Sequence, residues 1–298
     1  MKFLCIGQSA YDVTLPVSNY PIENHKIKIG NTKVECGGGS ANNCAYLLGK
    51  WGCDVHFITS VGQDIYGHRL KKELESVNVN TDNLIELEGI ETTTSYIIAN
   101  LSKGTRTIIT NKDPLMKFNG DISHIKPDII ISDGNDDEVV LKTILNNPQA
   151  ISILDASKIL GGVVKLCRYV DYVVCSYDFA RDYTHIAFKH NDLEKLKKVH
   201  AKLVNDFKTN VVITLEEFGS FSMIDGEYRL VPSISVKTLD TTGAGDIYHG
   251  AFAYFLSQHM PLYDVMRLSN IAGALSTTKI GSKNSMPALE EVINYDAR

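Results

Sequence analysis

Leu239-Asp240-Thr241-Thr242-Gly243-Ala244-Gly245-Asp246 lies between a run that reads as a strand, 235–239, and one that reads as a helix, 247–258. The helix reading rests on Ile247, Tyr248, Ala251, Phe252, Phe255 and Leu256, which fall on one stripe at three- and four-residue spacing. Between the two, Gly243, Ala244 and Gly245 let backbone N–H groups turn toward a bound anion, and the helix N-terminus adds its partial positive charge. The segment therefore reads as a phosphate cradle. Asp246 at its edge is an odd neighbour for a ligand that carries only negative charge. It makes sense where the ligand also brings a hydroxyl whose proton must leave as a phosphoryl group arrives. Taken alone, Asp246 is equally the acid that favours the first turn of a helix.

Outward from this point the chain alternates. Apolar runs at 3–6, 55–61, 129–131, 151–154, 172–175 and 211–215 have the length and composition of buried parallel strands. Between them, 41–51, 65–77, 137–145 and 193–207 carry apolar residues at helical spacing. This predicts an α/β fold with a mostly parallel central sheet and helices on both faces. Beyond 211 the chain reads as strands at 220–224, 228–231 and 235–239, then as helices. Two segments break the alternation, 12–36 and 92–110, both rich in Thr, Val, Ile and Tyr, with period-two stretches at 26–29 and 94–99 and a turn at Lys103-Gly104. They predict a small antiparallel sheet inserted into the α/β body; a pair of surface hairpins is the other reading. No repeat or linker interrupts the 298 residues, and a single domain over 1–298 is expected.

A formal charge of −5 argues against a protein that grips a nucleic-acid backbone. The basic stretch 195–198 reads as a solvated helix face. Cys5, Cys36, Cys44, Cys53, Cys167 and Cys175 show no C-x-x-C pairing and fit free thiols in a reducing compartment better than disulfides or a zinc site. The N-terminal apolar run is too short for a signal peptide, and no stretch has the ~20 apolar residues of a membrane span. A cytoplasmic location is expected, without membrane or nucleic-acid partners.

A second glycine run, Cys36-Gly37-Gly38-Gly39-Ser40-Ala41-Asn42-Asn43, opens the first helix, with Asp12 upstream. Glycines admit a ligand close to the backbone, and Asp12 and Asn42 offer the acceptors and donor that suit a polyhydroxylated molecule. By itself the run is also a structural turn. The two glycine-rich segments lie at opposite ends of the chain, as when separate segments build the two halves of a cleft at the carboxyl ends of strands. With Gly7 to Asp12, Gly62-x-Asp64-x-x-Gly67 and Gly250-Ala251-Phe252, they make the sequence similar to the ribokinase-like (PfkB) family of sugar kinases over essentially its whole length.

The resemblance implies a ribokinase-like fold whose inserted strands form a lid, and ATP-dependent phosphotransfer to an alcohol group of a sugar or sugar-like small molecule. It makes Asp246 the catalytic base and Gly243, Ala244 and Gly245 the anion hole. It gives Asp12, Gly38 and Asn42 to the sugar, and Thr214, Gly219 and Asn270 to ATP. It implies Mg2+ as cofactor and a monovalent cation near Asp240 and Ser285. The acceptor is left open among ribose, fructose, a sugar acid, a conjugated sugar and a nucleoside, with Asp133, Arg106 and Asn111 in the region that would select it. A lid presenting Ile27, Ile29, Val34, Tyr96 and Ile98 and open strand edges predicts a homodimer through the lid.

The chain departs from the family pattern on the nucleotide side. In the N-x-x-E element that helps position magnesium, Ser176 and Phe179 stand for the asparagine and the glutamate, with Asp178 either a substitute or a solvent-facing aspartate. Glu216 replaces the first glycine of Thr214-Leu215-x-x-x-Gly219, and Asp155-Ala156-Ser157-Lys158 lacks the frequent arginine, leaving Lys158 as a phosphate neighbour. The metal's ligands are thus left unassigned. These changes keep a non-catalytic sugar or nucleotide sensor as the alternative. A dinucleotide-binding dehydrogenase and a P-loop enzyme lack their glycine motifs here. His249, beside the catalytic turn, reads as a helix-surface or hydrogen-bonded histidine.

Overall fold

Phe3 and Cys5 belong to one apolar core and Leu4 and Ile6 to another. The strand that carries them, β1 (Lys2–Ile6), is therefore buried on both faces, as period-two geometry requires of a strand inside a covered sheet. The computed structural model describes residues 1–29, 33–103 and 105–296. After β1 the strands are β2 (Ala10–Val17), β3 (Val34–Gly38), β4 (Asp54–Gly62), β5 (Leu84–Leu87), β6 (Thr94–Asn100), β7 (Thr105–Asn111), β8 (Ile129–Ser132), β9 (Ile151–Ala156), β10 (Tyr172–Ser176), β11 (Asn210–Thr214), β12 (Ser220–Ile224) and β13 (Glu227–Val231). The helices are α1 (Ser40–Lys50), α2 (Ile65–Glu75), α3 (Asp137–Asn146), α4 (Gly161–Leu166), α5 (Tyr177–Thr184), α6 (Leu193–Phe207), α7 (Ala244–Ser257), α8 (Leu262–Ser276), α9 (Ser282–Ser285) and α10 (Leu289–Asp296).

The main sheet runs β13-β12-β11-β10-β9-β8-β1-β4-β5 and is parallel from β11 to β5, with β12 and β13 added antiparallel at one edge. Helices cover both faces: α1, α7, α8 and α10 pack over the core that takes Phe3 and Cys5, and α3, α5 and α6 over the one that takes Leu4 and Ile6. The α/β fold read from the alternating pattern is the one observed. β5 was not anticipated, because Leu-Ile-Glu-Leu is too short a run to stand out.

The second sheet, β3-β2-β6-β7, comes from the two segments that broke the alternation. It is mixed, not antiparallel: β2 and β6 pair in parallel. Both segments leave the same end of parallel strands, β1 and β5, and so travel side by side. Residues 26–29 form no strand and β3 starts at Val34, while the turn residue Gly104 lies outside the described residues, as do 30–32. The strand expected at 235–239 is also absent: Leu239 N and Asp240 N instead donate to Thr277 O at the end of α8, at 2.8 and 3.2 Å. α7 starts three residues before the expected position and is buried on nearly every side, because it is wedged between α1 and α8.

Candidate active site

Two helices begin at the centre of the site. α7 starts at Gly243, whose φ of 79° is a left-handed value that favours glycine. Among the described residues, nothing lies within 4 Å of where a Cβ on Gly245 would stand, so the first turn of α7 opens to a ligand. Asp246 sits on that turn, half-buried. Its Oδ2 accepts a 2.6 Å hydrogen bond from Asn43 Nδ2 on α1, and the Cys44 thiol donates to its carbonyl at 3.2 Å. Burial pushes the Asp246 carboxyl upward, and the bond from Asn43 and the nearby His249 pull it back.

The glycine run before α1 lies against a second buried carboxylate. A Cβ on Gly38 would fall 2.0 Å from Asp12 Oδ2, so only glycine leaves room for this carboxylate. Asp12 is buried in β2, and burial pushes it up to about 7, against the pull of Ser95 and Lys283. Asn42 donates to Ser9 Oγ at 2.8 Å, and its Oδ1 accepts from Lys283 Nζ at 2.5 Å. Lys283, on α9, lies 4.4 Å over the Tyr46 ring, and burial lowers its ammonium to about 8 although Glu73, Asp12 and Asp246 pull upward. Arg106, on β7 of the second sheet, donates to Thr241 Oγ1 in the turn before α7. Asp133 is occupied with backbone: it accepts from Gln8 N at 2.8 Å and Ala41 N at 3.3 Å, pinning the end of β1 to the start of α1. Asn111 donates to Glu91 at 3.3 Å. A polar cavity of about 320 Å³ opens beside residues 7–9, lined by Ser60, Thr93, Lys112 and Asn135, but neither Asp12 nor Asp246 lines it.

Thr214 ends β11 and Gly219 closes the turn after it, packed so tightly that a Cβ would lie 2.1 Å from Val231 O. Glu216 takes φ 54°, the left-handed conformation a glycine would adopt freely, and its carboxylate faces His190 Nε2 at 3.5 Å. Asn270 is buried, and its amide donates to Val231 O and Pro232 O at 3.0 and 3.4 Å, holding the strand end that faces Gly219. Phe179 is in the core, and Ser176 caps α5 by accepting from Phe179 N at 3.1 Å. Asp178 faces solvent and pairs with Arg181 at 2.7 Å, while Lys158 is exposed. Asp240 accepts from Thr242 N and Gly281 N, both at 2.9 Å, tying the turn before α7 to the loop before α9; Ser285 donates to Ser282 O. Among the described residues, no three His, Cys, Asp or Glu side chains are grouped to hold a metal ion.

The site thus joins an open helix start, a carboxylate on its first turn and the buried Asp12 and Asn42, in a mostly parallel α/β body with a small second sheet. The pfkB family carbohydrate kinase pattern matches residues 1–289. The chain belongs to the pfkB family. It is a carbohydrate kinase, a phosphotransferase from ATP to an alcohol group. The deoxyribokinase of Salmonella typhi is 24% identical over 305 residues, covering 99% of this chain and 98% of the relative. The ribokinase of Staphylococcus aureus is 25% identical over 305 residues, covering 98% of each. The chain spans 56% of the length of a bifunctional ribokinase/ribose-5-phosphate isomerase A from Fructilactobacillus sanfranciscensis, 24% identical over 306 residues and covering 98% of this chain. A ribokinase from Arabidopsis thaliana, solved complexed with ribose and ATP, superposes with a TM-score of 0.82 at 21% identity, over 98% of this chain and 97% of that one.

Two residues of this pfkB kinase's site escaped the sequence reading. Asn43 holds Asp246 from 203 positions away, and Lys283 reaches Asn42 across 241. Asn43 stood inside the quoted glycine-run motif, next to Asn42, so its position was a usable signal. Lys283 had none, because a lysine in a polar C-terminal loop looks solvated.

Proposed function

We propose that Asp246 takes the proton of the acceptor hydroxyl while the γ-phosphoryl group meets the N–H groups of Gly243, Ala244 and Gly245. The observation that carries this reading is the 2.6 Å bond from Asn43 to Asp246, since Asn43 follows Asn42 on α1 and thereby brings base, anion-binding turn and acceptor residues to one cleft. Asp12 and Asn42 hold acceptor hydroxyls, with Asp12 lying across the bare backbone of Gly38. Arg106, reaching Thr241 from the lid, brings a positive charge over the transferring group, and lid closure keeps water from taking the phosphate. The nucleotide lies along Thr214 and Gly219, with Asn270 fixing the wall behind Gly219.

The acceptor we infer is a free pentose or hexose, with ribose and 2-deoxyribose first; the names of the curated relatives support this choice. The whole chain acts as one kinase unit with the four-stranded sheet as lid, and its free cysteines suit the cytoplasm. The test is ADP release from ATP over a panel of ribose, 2-deoxyribose, fructose and a nucleoside. Release with none of them would place the acceptor outside this set.

Among the described residues no side chains build a magnesium cage: position 179 is core phenylalanine and the Ser176 hydroxyl caps a helix. We therefore propose that Mg2+ enters bound to the phosphates of ATP, whose charge it neutralises. Turnover should cease in excess chelator and return with added magnesium; full activity with chelator present would refute the requirement. A monovalent cation would act through the Asp240–Gly281 link, and comparing rates in potassium with those in a bulky organic cation tests it.

A further inference from the structure

His249 lies on α7 one turn after Asp246, with its side chain 5% exposed. Each of its ring nitrogens faces acceptors. Nδ1 is 2.6 Å from Gly245 O; Nε2 is 3.0 Å from Val174 O and 3.4 Å from Asp155 Oδ1. A peptide carbonyl can only accept. A neutral imidazole has one N–H, so one of its nitrogens would turn a lone pair onto a carbonyl oxygen inside the protein. Two donors remove the conflict. The other buried histidine, His200, shows the contrast: Nε2 meets Val211 O at 2.9 Å, and Nδ1 meets no partner among the described residues.

We infer that His249 is held as a doubly protonated imidazolium behind the catalytic turn, and that it is a positioning residue for the phosphotransfer. A buried cation needs a nearby anion. Asp155 on β9 supplies one above about pH 7: its side chain is 4% exposed, burial pushes its carboxyl up to about 7 against the pull of His249, and its Oδ1 has no hydrogen-bond donor among the described residues, the His249 ring being its ion-pair partner. The other titratable groups around the pair are Asp246 on the same helix, the Cys44 thiol from α1 and, farther off, Asp133 at the end of β8. The arrangement has two consequences. The Nδ1–H bond fixes the carbonyl of Gly245 and with it the peptide frame of the anion hole. The ring's charge, placed behind that frame, favours the ionised form of Asp246 and adds positive potential toward an arriving phosphoryl group.

This rests on Asp246 as the base, and the experiment keeps the two claims apart. The protein is labelled with 15N-histidine, and ring nitrogens are observed as pH rises to about 8.5, where solvent-exposed imidazoles are neutral. One ring should keep both protons, exchange them slowly with solvent, and be absent from the spectrum of His249→Gln. If no ring among the nine histidines keeps both protons there, the assignment is overturned. In rate–pH profiles, His249→Gln should move the acid limb of kcat up by about one unit while both KM values change less than about two-fold. An unmoved limb overturns the positioning role. Should that variant not fold, the wild-type spectrum still decides the protonation. His249→Asn then decides the electrostatics, since it too removes the ring charge: the limb should move up, and no movement overturns the role. Failure of the underlying reading looks different: Asp246→Asn would turn over normally while the doubly protonated ring persisted.

Discussion

Asp246 has a charge-assisted bond from Asn43, a kind worth about 1.5–3 kcal/mol, and the amide of an asparagine at position 246 would fill the same space. Asp246→Asn should therefore bind ATP and acceptor as before while kcat falls roughly 10²–10⁴-fold, the usual contribution of general-base help. Steady-state phosphorylation and thermal unfolding of one sample check this; near-normal turnover would end the assignment. Asp12 responds to pH in a way its neighbours determine. Burial raises its carboxyl to about 7, so the folded state favours the protonated form. That stability is fully present near pH 4 and is lost as pH rises through about 7. Asp12→Asn makes the neutral form permanent. The variant should match the wild type in melting temperature near pH 4, exceed it above about pH 8 by a gain on the order of 2–4 kcal/mol, and lose acceptor affinity. Equal melting temperatures at both pH values would show that Lys283 already offsets the buried charge. At this scale the sequence is legible where a site residue sits in a contiguous motif, as Gly243 to Asp246 do. It is silent where the partner is brought from far along the chain, as Lys283 is to Asn42.

At the scale of elements, the parallel strands were legible because each is a short apolar run buried on both faces, and the lid only in outline. Neither Val-rich β2 nor Ile-rich β6 shows in its own residues that the two run in parallel. That direction follows from where each leaves the main sheet. The coil at 235–239 has strand-like composition, but the N–H groups of Leu239 and Asp240 are taken by Thr277 O at the end of α8, a tertiary fact. The lid register does bear on function: Asp12 is opposite Ser95, Ser95 opposite Thr110, and Ala99 opposite Arg106, so Arg106 shares the sheet face that carries Asp12. An exposed arginine on that face, bonded to Thr241, ties the second sheet to the turn before α7. Arg106→Ala should reduce kcat by about ten-fold or more through lost charge at the transferring group, and raise ATP hydrolysis without acceptor because the lid closes less firmly. Unchanged values of both would reduce Arg106 to a surface residue.

For the whole molecule, the question is what covers the other face of the lid. By the same register, Val13, Tyr96 and Ile109 lie on the face opposite Asp12, as do Leu15 and Ile98. The lower part of that face is occupied: Tyr11 stacks on Tyr66 of α2 with ring centroids 4.4 Å apart. The upper part is open, with Tyr96 44% and Ile109 58% exposed, and β7 is a free edge along which every residue is exposed. Apolar residues beside an unpaired strand edge invite another strand, and the matching edge of a second copy has the same residues. A homodimer in which the lids pair would cover both and stiffen each lid over its sugar. The protein should therefore show a dimer mass by sedimentation at micromolar concentration. Ile109→Lys, which leaves the Asp12 face untouched, should yield monomers that fold normally but bind the acceptor several-fold more weakly. A wild-type protein that is monomeric at that concentration would rule the arrangement out, and the exposed edge would then need another cover.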